Sequence, residues 1–337
     1  MERNATIREG NLEDIRSNEL NAILMSKRVN VYYLEYCRVL VKSGRVEYVT
    51  NAGKQSLYWN IPIANTTSIL LGTGTSITQA AVRELAKAGV MIGFCGGGGT
   101  PLFAAMEMDT PVAWLTPQSE YRPTGYLQQW VSFWFDDAKR LRAAKILQRV
   151  RLRLIEKVWL ERGRAENRAL DFSPLASEIR EKIAELISEI DGCRDLVSLL
   201  TLEGRWTKTL YRWAATAARY GEFTRAKSGS GLDPANRYLD HGNYIAYGLG
   251  ASAAWVLGLP AGLAVLHGKT RRGGLVFDLA DIVKDSVVLP LAFASAAAGD
   301  EEQEFRRKLV SDLMSVGAID VMIDTVKAIL DELGASL

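Results

Sequence analysis

Cysteine and histidine are scarce. The 337-residue chain holds three cysteines, Cys37, Cys95 and Cys193, and two histidines, His241 and His267. Three widely spaced cysteines make neither a disulfide framework nor a thiolate zinc site, and they fit a reducing compartment, the cytoplasm. The start has no basic-then-apolar leader; Glu9, Glu13, Asp14 and Glu19 make it mixed and polar, so export through a standard signal is unsupported. Only nine prolines, with 48% hydrophobic and 24% charged residues, exclude a fibrous or largely disordered chain. The length suits one large or two medium domains. An excess of charge is lacking too: the net value is +2 at pH 7.

That near-neutral total hides segregation. Residues 139–164 carry ten bases against two acids, and residues 205–237 carry seven against two. Residues 276–337 carry twelve acids against five bases. One charge run is usually a solvated helix face. Two separate basic stretches beside an acidic tail point toward a polyanion, nucleic acid above all.

The first third reads as strands. Val29 to Val41 is rich in β-branched and aromatic residues, and Lys42-Ser-Gly-Arg45 followed by Val46–Thr50 completes a hairpin signature. Further strands are expected at Ser56–Ile63, Ser68–Leu71 and Val90–Phe94, with a helix from an N-cap at Ser76 through Ala88. After Trp114-Leu-Thr-Pro117 helical periodicity takes over, at 127–160, 174–190, 196–220, 276–298, 301–315 and 318–333. The expectation is an α+β chain with a sandwich-like β domain over 1–114 and a larger all-α domain over 115–337. The uncharged run Gly242–Leu266 spans a bilayer on length alone. Its glycines, Pro260 and missing aromatic belt favour a buried helix, a break near Gly258-Leu-Pro260 and a second short helix.

Two glycine motifs invite a nucleotide. In Gly72-Thr-Gly-Thr the third glycine of a dinucleotide fingerprint falls at Ile77, and no acid ends the next strand. Gly96–Gly99 lacks the Lys-Ser/Thr of a phosphate loop. Both read as turns.

Carboxylates are more informative. Leu199, Glu203, Trp206, Leu210 and Trp213 are spaced four, three, four and three, so Glu203 sits in an apolar helical stripe. It either snorkels from the stripe edge or needs a partner, a proton or a metal. Asp278, Asp281 and Asp285 share one helix face, where like charges repel unless a cation relieves them. Helix-dipole compensation at an N-terminal turn explains the first two equally well. His267 closes the apolar run Leu263–Leu266 and precedes a flexible basic loop. One imidazole with several carboxylates suits Mg2+ or Mn2+ better than zinc and points to phosphodiester chemistry.

Several segments together resemble the CRISPR-associated Cas1 family of spacer-acquisition endonucleases and integrases, in its subtype I-F version. They are Tyr58-Trp-Asn-Ile-Pro-Ile-Ala-Asn65, Leu70-Leu-Gly-Thr-Gly-Thr-Ser-Ile-Thr78, Tyr220-Gly-Glu-Phe-Thr-Arg225, Asp233-Pro-Ala-Asn236, Leu266-His267-Gly and Phe277-Asp278-Leu-Ala-Asp281. The resemblance implies metal ligands at Glu203, His267 and Asp278, with Asp281 as an additional acid and Lys284 in place of an arginine frequent in that helix. It implies a strand domain before a helical one, a homodimer paired through its N-terminal domains, and a small companion adaptation protein, fused to a helicase-nuclease in that subtype. The expected activity is metal-dependent cleavage of DNA and its insertion by transesterification; a non-catalytic DNA-binding scaffold is the alternative. Arg205, Arg225, Lys227, Lys269, Arg271 and Arg272 are expected at DNA phosphates, with Asn236 positioning a turn or the histidine. No membrane association is expected.

Overall fold

The computed structural model describes residues 30–52, 55–94, 113–115, 124–161, 170–226, 233–268 and 273–334. Strands come first and helices follow, the expected α+β order.

The run expected as one strand is two. β1 (Asn30–Leu34) and β2 (Arg38–Lys42) part at Tyr36, whose φ of 48° breaks the extended backbone, and they join different sheets. β2 returns antiparallel into β3 (Arg45–Ala52) through Ser43-Gly44, both at positive φ as a two-residue hairpin turn requires. β4 (Gln55–Asn60) pairs with β3, and the short β6 (Ser76–Ile77) lies parallel to β2. The second sheet orders β1, β5 (Thr66–Leu71), β7 (Met91–Phe94) and β8 (Ala113–Leu115); its first three strands are parallel and β8 is antiparallel.

β5 joins the two parts of the molecule. It is buried on both faces, as a central parallel strand must be. Ile69 and Leu71 enter a core with Val39, Val46 and Leu85 of α1 (Gln79–Lys87), whereas Leu70 packs into the helical core. Period-two alternation sends the odd residues one way and Leu70 the other. The N-cap of α1 is Thr78, which accepts a hydrogen bond from Ala81 N, and not the expected Ser76, which belongs to β6. The Gly72 motif is a packing device. A Cβ there would stand 2.8 Å from the Tyr33 hydroxyl and 2.9 Å from Glu35 Cγ. Gly96–Gly99 lies outside the described residues.

The expected helix over 127–160 is also two, α2 (Gly125–Trp134) and α3 (Asp137–Glu156). Asp136 separates them and caps α3, accepting from Ala138 N and Lys139 N. α4 (Ala176–Gly192), α5 (Leu196–Ala218) and α6 (Pro234–Val256) follow. α7 (Gly274–Val283) runs through a π-helical turn at Lys284–Val288 into α8 (Leu289–Ala298), before α9 (Glu302–Ser315) and α10 (Ala318–Leu333). The uncharged run begins as the largely buried second half of α6. Its glycines admit neighbours: a Cβ on Gly250 would stand 2.7 Å from Val276 O on α7. The expected second short helix does not form. Residues 257–268 are turns and irregular chain, because Gly258 takes a φ of 70° and Pro260 removes an amide donor. Among the described residues no helix is long and apolar enough to cross a membrane.

His241 on α6 lies where the strand region meets the helices. Its ring packs 5.0 Å from that of Tyr33 on β1, Arg306 Nη1 on α9 lies 3.5 Å from its Nε2, and its Nδ1 finds no partner among the described residues. Burial first, then the charges of Arg306 and Arg237, push its pKa down to about 3. Unfolding lets this imidazole take a proton below its ordinary ~6.5, so its contribution is complete above that value and declines as pH falls toward 3. We expect unfolding free energy to fall between pH 6.5 and 4, with this residue adding up to about 1.4 kcal/mol per pH unit to the slope. Urea titrations of wild type and His241→Asn test it: the variant's slope should be shallower by that amount, and equal slopes would refute the assignment.

Candidate metal centre

Three separated stretches bring donors together. Glu203 projects from α5, whose start is fixed by a capping box between Asp195 and Ser198 and whose buried stripe is Leu199, Leu202, Trp206, Leu210 and Trp213. His267 lies on the irregular chain before α7, and Asp281 lies in the last turn of α7. One ligand atom from each of Glu203, His267 and Asp281 falls within 4.8 Å of the others.

The segment carrying His267 is a held loop. Trp130 Nε1 donates to Leu263 O at 3.0 Å, Trp134 Nε1 to Ala264 O at 2.7 Å, and Leu275 N to Ala261 O at 2.8 Å. Asp278 completes the clasp. Its Oδ2 accepts from Val265 N and Leu266 N, and its Oδ1 accepts from His267 N and lies 2.7 Å from His267 Nδ1. The carboxylate thereby satisfies backbone donors that a helix would have paired internally. In the neutral ring an acceptor at Nδ1 places the proton there and leaves the Nε2 lone pair on the side of Asp281 Oδ2, 3.4 Å away.

The geometry thus gives Asp278 and Asp281 places different from those expected. Asp278, expected as a direct ligand, has both oxygens turned to the loop and to the far side of the imidazole. Asp281, expected as an additional acid, stands with Glu203 and His267. A three-residue step moves a side chain along the face of α7, enough to exchange a loop-holding position for one facing the gap.

Two cations brace the acids. Lys284 Nζ donates to Asp281 Oδ1 at 2.5 Å and lies over the Tyr247 ring. Arg151 of α3 bonds Glu203 and, at 2.6 Å, Asp285 Oδ2. Burial opposes ionisation of Asp281, but Lys284, Arg151 and His267 outweigh it and hold its carboxyl below the usual range. Burial likewise disfavours the His267 imidazolium; the Asp278 hydrogen bond and the Asp281, Asp278 and Glu203 charges outweigh that and raise its pKa. Burial pushes the Asp285 carboxyl up while Arg151 holds it down. A guanidinium keeps its proton, so we read that pair as charged.

Arg151 is absent from the expected site, and so is any role for Lys284. The signal existed for Arg151: Ala144, Gln148, Arg151 and Ile155 repeat at four, three and four, the same polar-in-stripe pattern as Glu203.

Among the described residues of the basic run 139–164, several bases are paired within the protein. Arg140 meets Asp137, Arg142 meets Glu332 and Arg149 meets Asp191, while Lys145 donates to the Asp191 backbone carbonyl. Of the expected DNA contacts, Arg205 is paired with Glu189, and Arg225 with Asp240 and with Asn236 Oδ1 at 2.8 Å. Asn236 also accepts from Ala226 N and donates to Thr224 O, so it holds the turn after α5 and not the histidine. Lys227, Lys269, Arg271 and Arg272 lie outside the described residues. Glu203 opens onto a cleft of about 1190 Å³ along α5 and that turn, lined among others by Lys208, Arg212, Arg219, Tyr211 and Phe223.

A family model described as CRISPR associated protein Cas1 matches residues 31–325. The chain belongs to the Cas1 family. It is 62% identical, over 318 residues covering 94% of this chain and 97% of the relative, to the CRISPR-associated endonuclease Cas1 of Pseudomonas aeruginosa (strain UCBPP-PA14). Among solved structures, the TtCas1–DNA complex superposes with a TM-score of 0.60 at 22% identity, covering 91% of this chain and 93% of that one. A casposase bound to its integration product superposes with a TM-score of 0.66 at 14% identity, covering 90% and 91%. At those identities the likeness is one of fold. This Cas1-family chain shares the strand-then-helix architecture, and its acid–histidine cluster sits in the helical part.

Once the pH is high enough to deprotonate the ring, 15N spectra of the metal-free protein should show Nδ1 protonated and Nε2 bare for this histidine. A dominant Nε2–H form would contradict the Asp278 arrangement. Asp278→Asn, which loses one carboxylate acceptor for buried amides, should lower the unfolding free energy in urea by about 1–3 kcal/mol.

Proposed function

We propose that this protein is a metal-dependent DNA endonuclease and integrase of CRISPR adaptation, with Glu203, His267 and Asp281 holding one Mg2+ or Mn2+ and Asp278 orienting the histidine. The observation that carries the reading is the convergence of those three donors from distant parts of the sequence. The donor set fits: a neutral imidazole nitrogen and two carboxylate oxygens suit a hard or borderline divalent cation. One ion is favoured over two. Asp278 is engaged by the loop and Asp285 by Arg151, which leaves two carboxylates for metal. His267 must lose its proton to bind, so affinity should rise with pH through its raised pKa.

When bound, such an ion polarises a phosphoryl oxygen and lowers the pKa of a nucleophile, water for cleavage or a 3′-hydroxyl for strand transfer. The chain's own residues do the rest. Lys208, Arg212 and Arg219 line the cleft that Glu203 also lines and would hold phosphates along it. Tyr211 and Phe223 offer stacking surface to bases. Arg225 would join by giving up part of its contact with Asp240, and Arg205 by leaving Glu189; the latter is an exposed pair worth under ~1 kcal/mol. Strand transfer exchanges one phosphodiester for another, so it needs no high-energy cofactor. The inserted DNA would be spacer DNA, entering a CRISPR array.

The scaffold alternative has no use for a buried acid–histidine cluster. We expect His267→Ala to abolish cleavage at any Mn2+ or Mg2+ concentration while DNA affinity stays within about 3-fold, since phosphate contacts dominate retention. EDTA should silence the wild type in the same way. Cleavage retained by the variant would refute the site.

The same reading includes a homodimer, and a small companion adaptation protein as second partner. β4 ends its sheet and exposes Leu57, Tyr58 and Trp59 at 40–49%. An edge strand with consecutive bulky residues is a surface that proteins cover, and the N-terminal domain of a second copy is the occupant we assign. Tyr58→Lys with Trp59→Lys should convert the dimer to monomer by light scattering at micromolar concentration; an unchanged dimer would place the interface elsewhere.

A further inference from the structure

Arg151 is the most unusual buried group outside the donor set. It is 4% exposed, in the interior of α3, with its guanidinium over the Trp206 ring at 4.7 Å. Nε donates to Asp285 Oδ2 at 2.6 Å; Nη1 donates to Glu203 Oε1 and lies 3.4 Å from Gln148 Oε1. The side chain is therefore fixed on one flank by the π-helical turn, on its face by α5, and on its own helix by Gln148. Among the described residues Arg151 is the one side chain that bonds the Glu203 carboxylate.

We propose that Arg151 is a positioning residue of the metal centre: anchored by Asp285 and Trp206, it holds Oε1 of Glu203 and so presents Oε2 to the cation. This deepens the metal reading above and rests on it. Glutamate has three rotatable bonds and opens onto a wide cleft. Left alone it would sample solvent-facing rotamers and lose that freedom each time an ion bound. A planar fork fixed at both ends settles the conformation beforehand. The partition of oxygens has a parallel at Asp281, where Oδ1 meets Lys284 and Oδ2 faces His267 Nε2. At Asp281 one oxygen is braced by a protein cation and the other faces the imidazole, and the proposal gives Glu203 the same partition.

Charge and positioning predict opposite signs. As a mere like charge beside a divalent ion, Arg151 weakens metal binding, and its removal tightens it. As a positioning residue it strengthens binding, and its removal loosens it.

The test titrates full-length protein with Mn2+, following free Mn2+ by electron paramagnetic resonance without DNA. The main variant is Arg151→Met combined with Asp285→Asn, which removes both members of the buried pair and leaves no uncompensated carboxylate from it. Its dissociation constant should rise about 10–100-fold, the usual cost of losing a ligand's supporting contact, and Arg151→Lys should recover part of the loss. In a Glu203→Gln background the same pair of substitutions should add nothing, because the effect passes through Glu203. Unchanged or tighter Mn2+ binding in a variant with wild-type circular dichroism and unfolding midpoint would overturn the proposal, as would full additivity with Glu203→Gln. If the double variant fails to fold, Arg151→Lys carries the test: weaker binding at an unchanged midpoint supports it, equal binding overturns it. A wild type that takes up no Mn2+ would refute the metal reading itself, and this inference with it.

Discussion

Four carboxylates, Glu203, Asp278, Asp281 and Asp285, crowd one region of the helical part, and among the described residues Arg151 and Lys284 are the cations bonded to them. With His267 neutral these six side chains balance at two negative charges, the complement of one divalent ion. Much of the local architecture serves this cluster. α3 brings the guanidinium, α5 the glutamate, α7 and its π-helical turn the three aspartates and the lysine. Unpaired ions are too costly to bury singly, so each helix is held where its charge meets its partner.

The second constraint is the loop between α6 and α7. A buried stretch of irregular backbone must find acceptors and donors outside regular structure. Here two tryptophan indoles take carbonyls of Leu263 and Ala264, and Asp278 takes three successive amides. The same carboxylate then fixes the imidazole tautomer. Folding of the loop and aim of the histidine are consequently one event. The close approach of α6 to α7 at Gly250 supports it from below.

The strand region is tied to this assembly through β5, whose alternation feeds two cores, and through Tyr33 and Glu35, which reach Arg306 and His241 on the helices. The Gly72 motif exists to let Tyr33 and Glu35 approach the backbone. A pattern that hints at a nucleotide in one dimension is thus part of a contact between the strand region and the helices in three.

Local patterns alone determined the strand-to-helix order, the helical stretches after residue 124, the buried character of 242–256 and the chemical type of the site. These follow from periodicity and from polar residues placed in apolar stripes, which are properties of neighbours in sequence. Local patterns also overran real boundaries: Tyr36 divides an apolar run by one positive φ, and Asp136 divides a helix by capping. Which aspartate faces the gap, which bases remain open to a phosphate and what supports Glu203 were decided by tertiary structure. Asp278 and Asp281 differ by three residues on one helix, and only the loop packed against α7 distinguishes them. Arg142, Arg149 and Arg205 find their acids on other helices. Coordination and ion pairing act over a few ångströms in space, and residues 151, 203, 267 and 281 become neighbours only after the helices have packed.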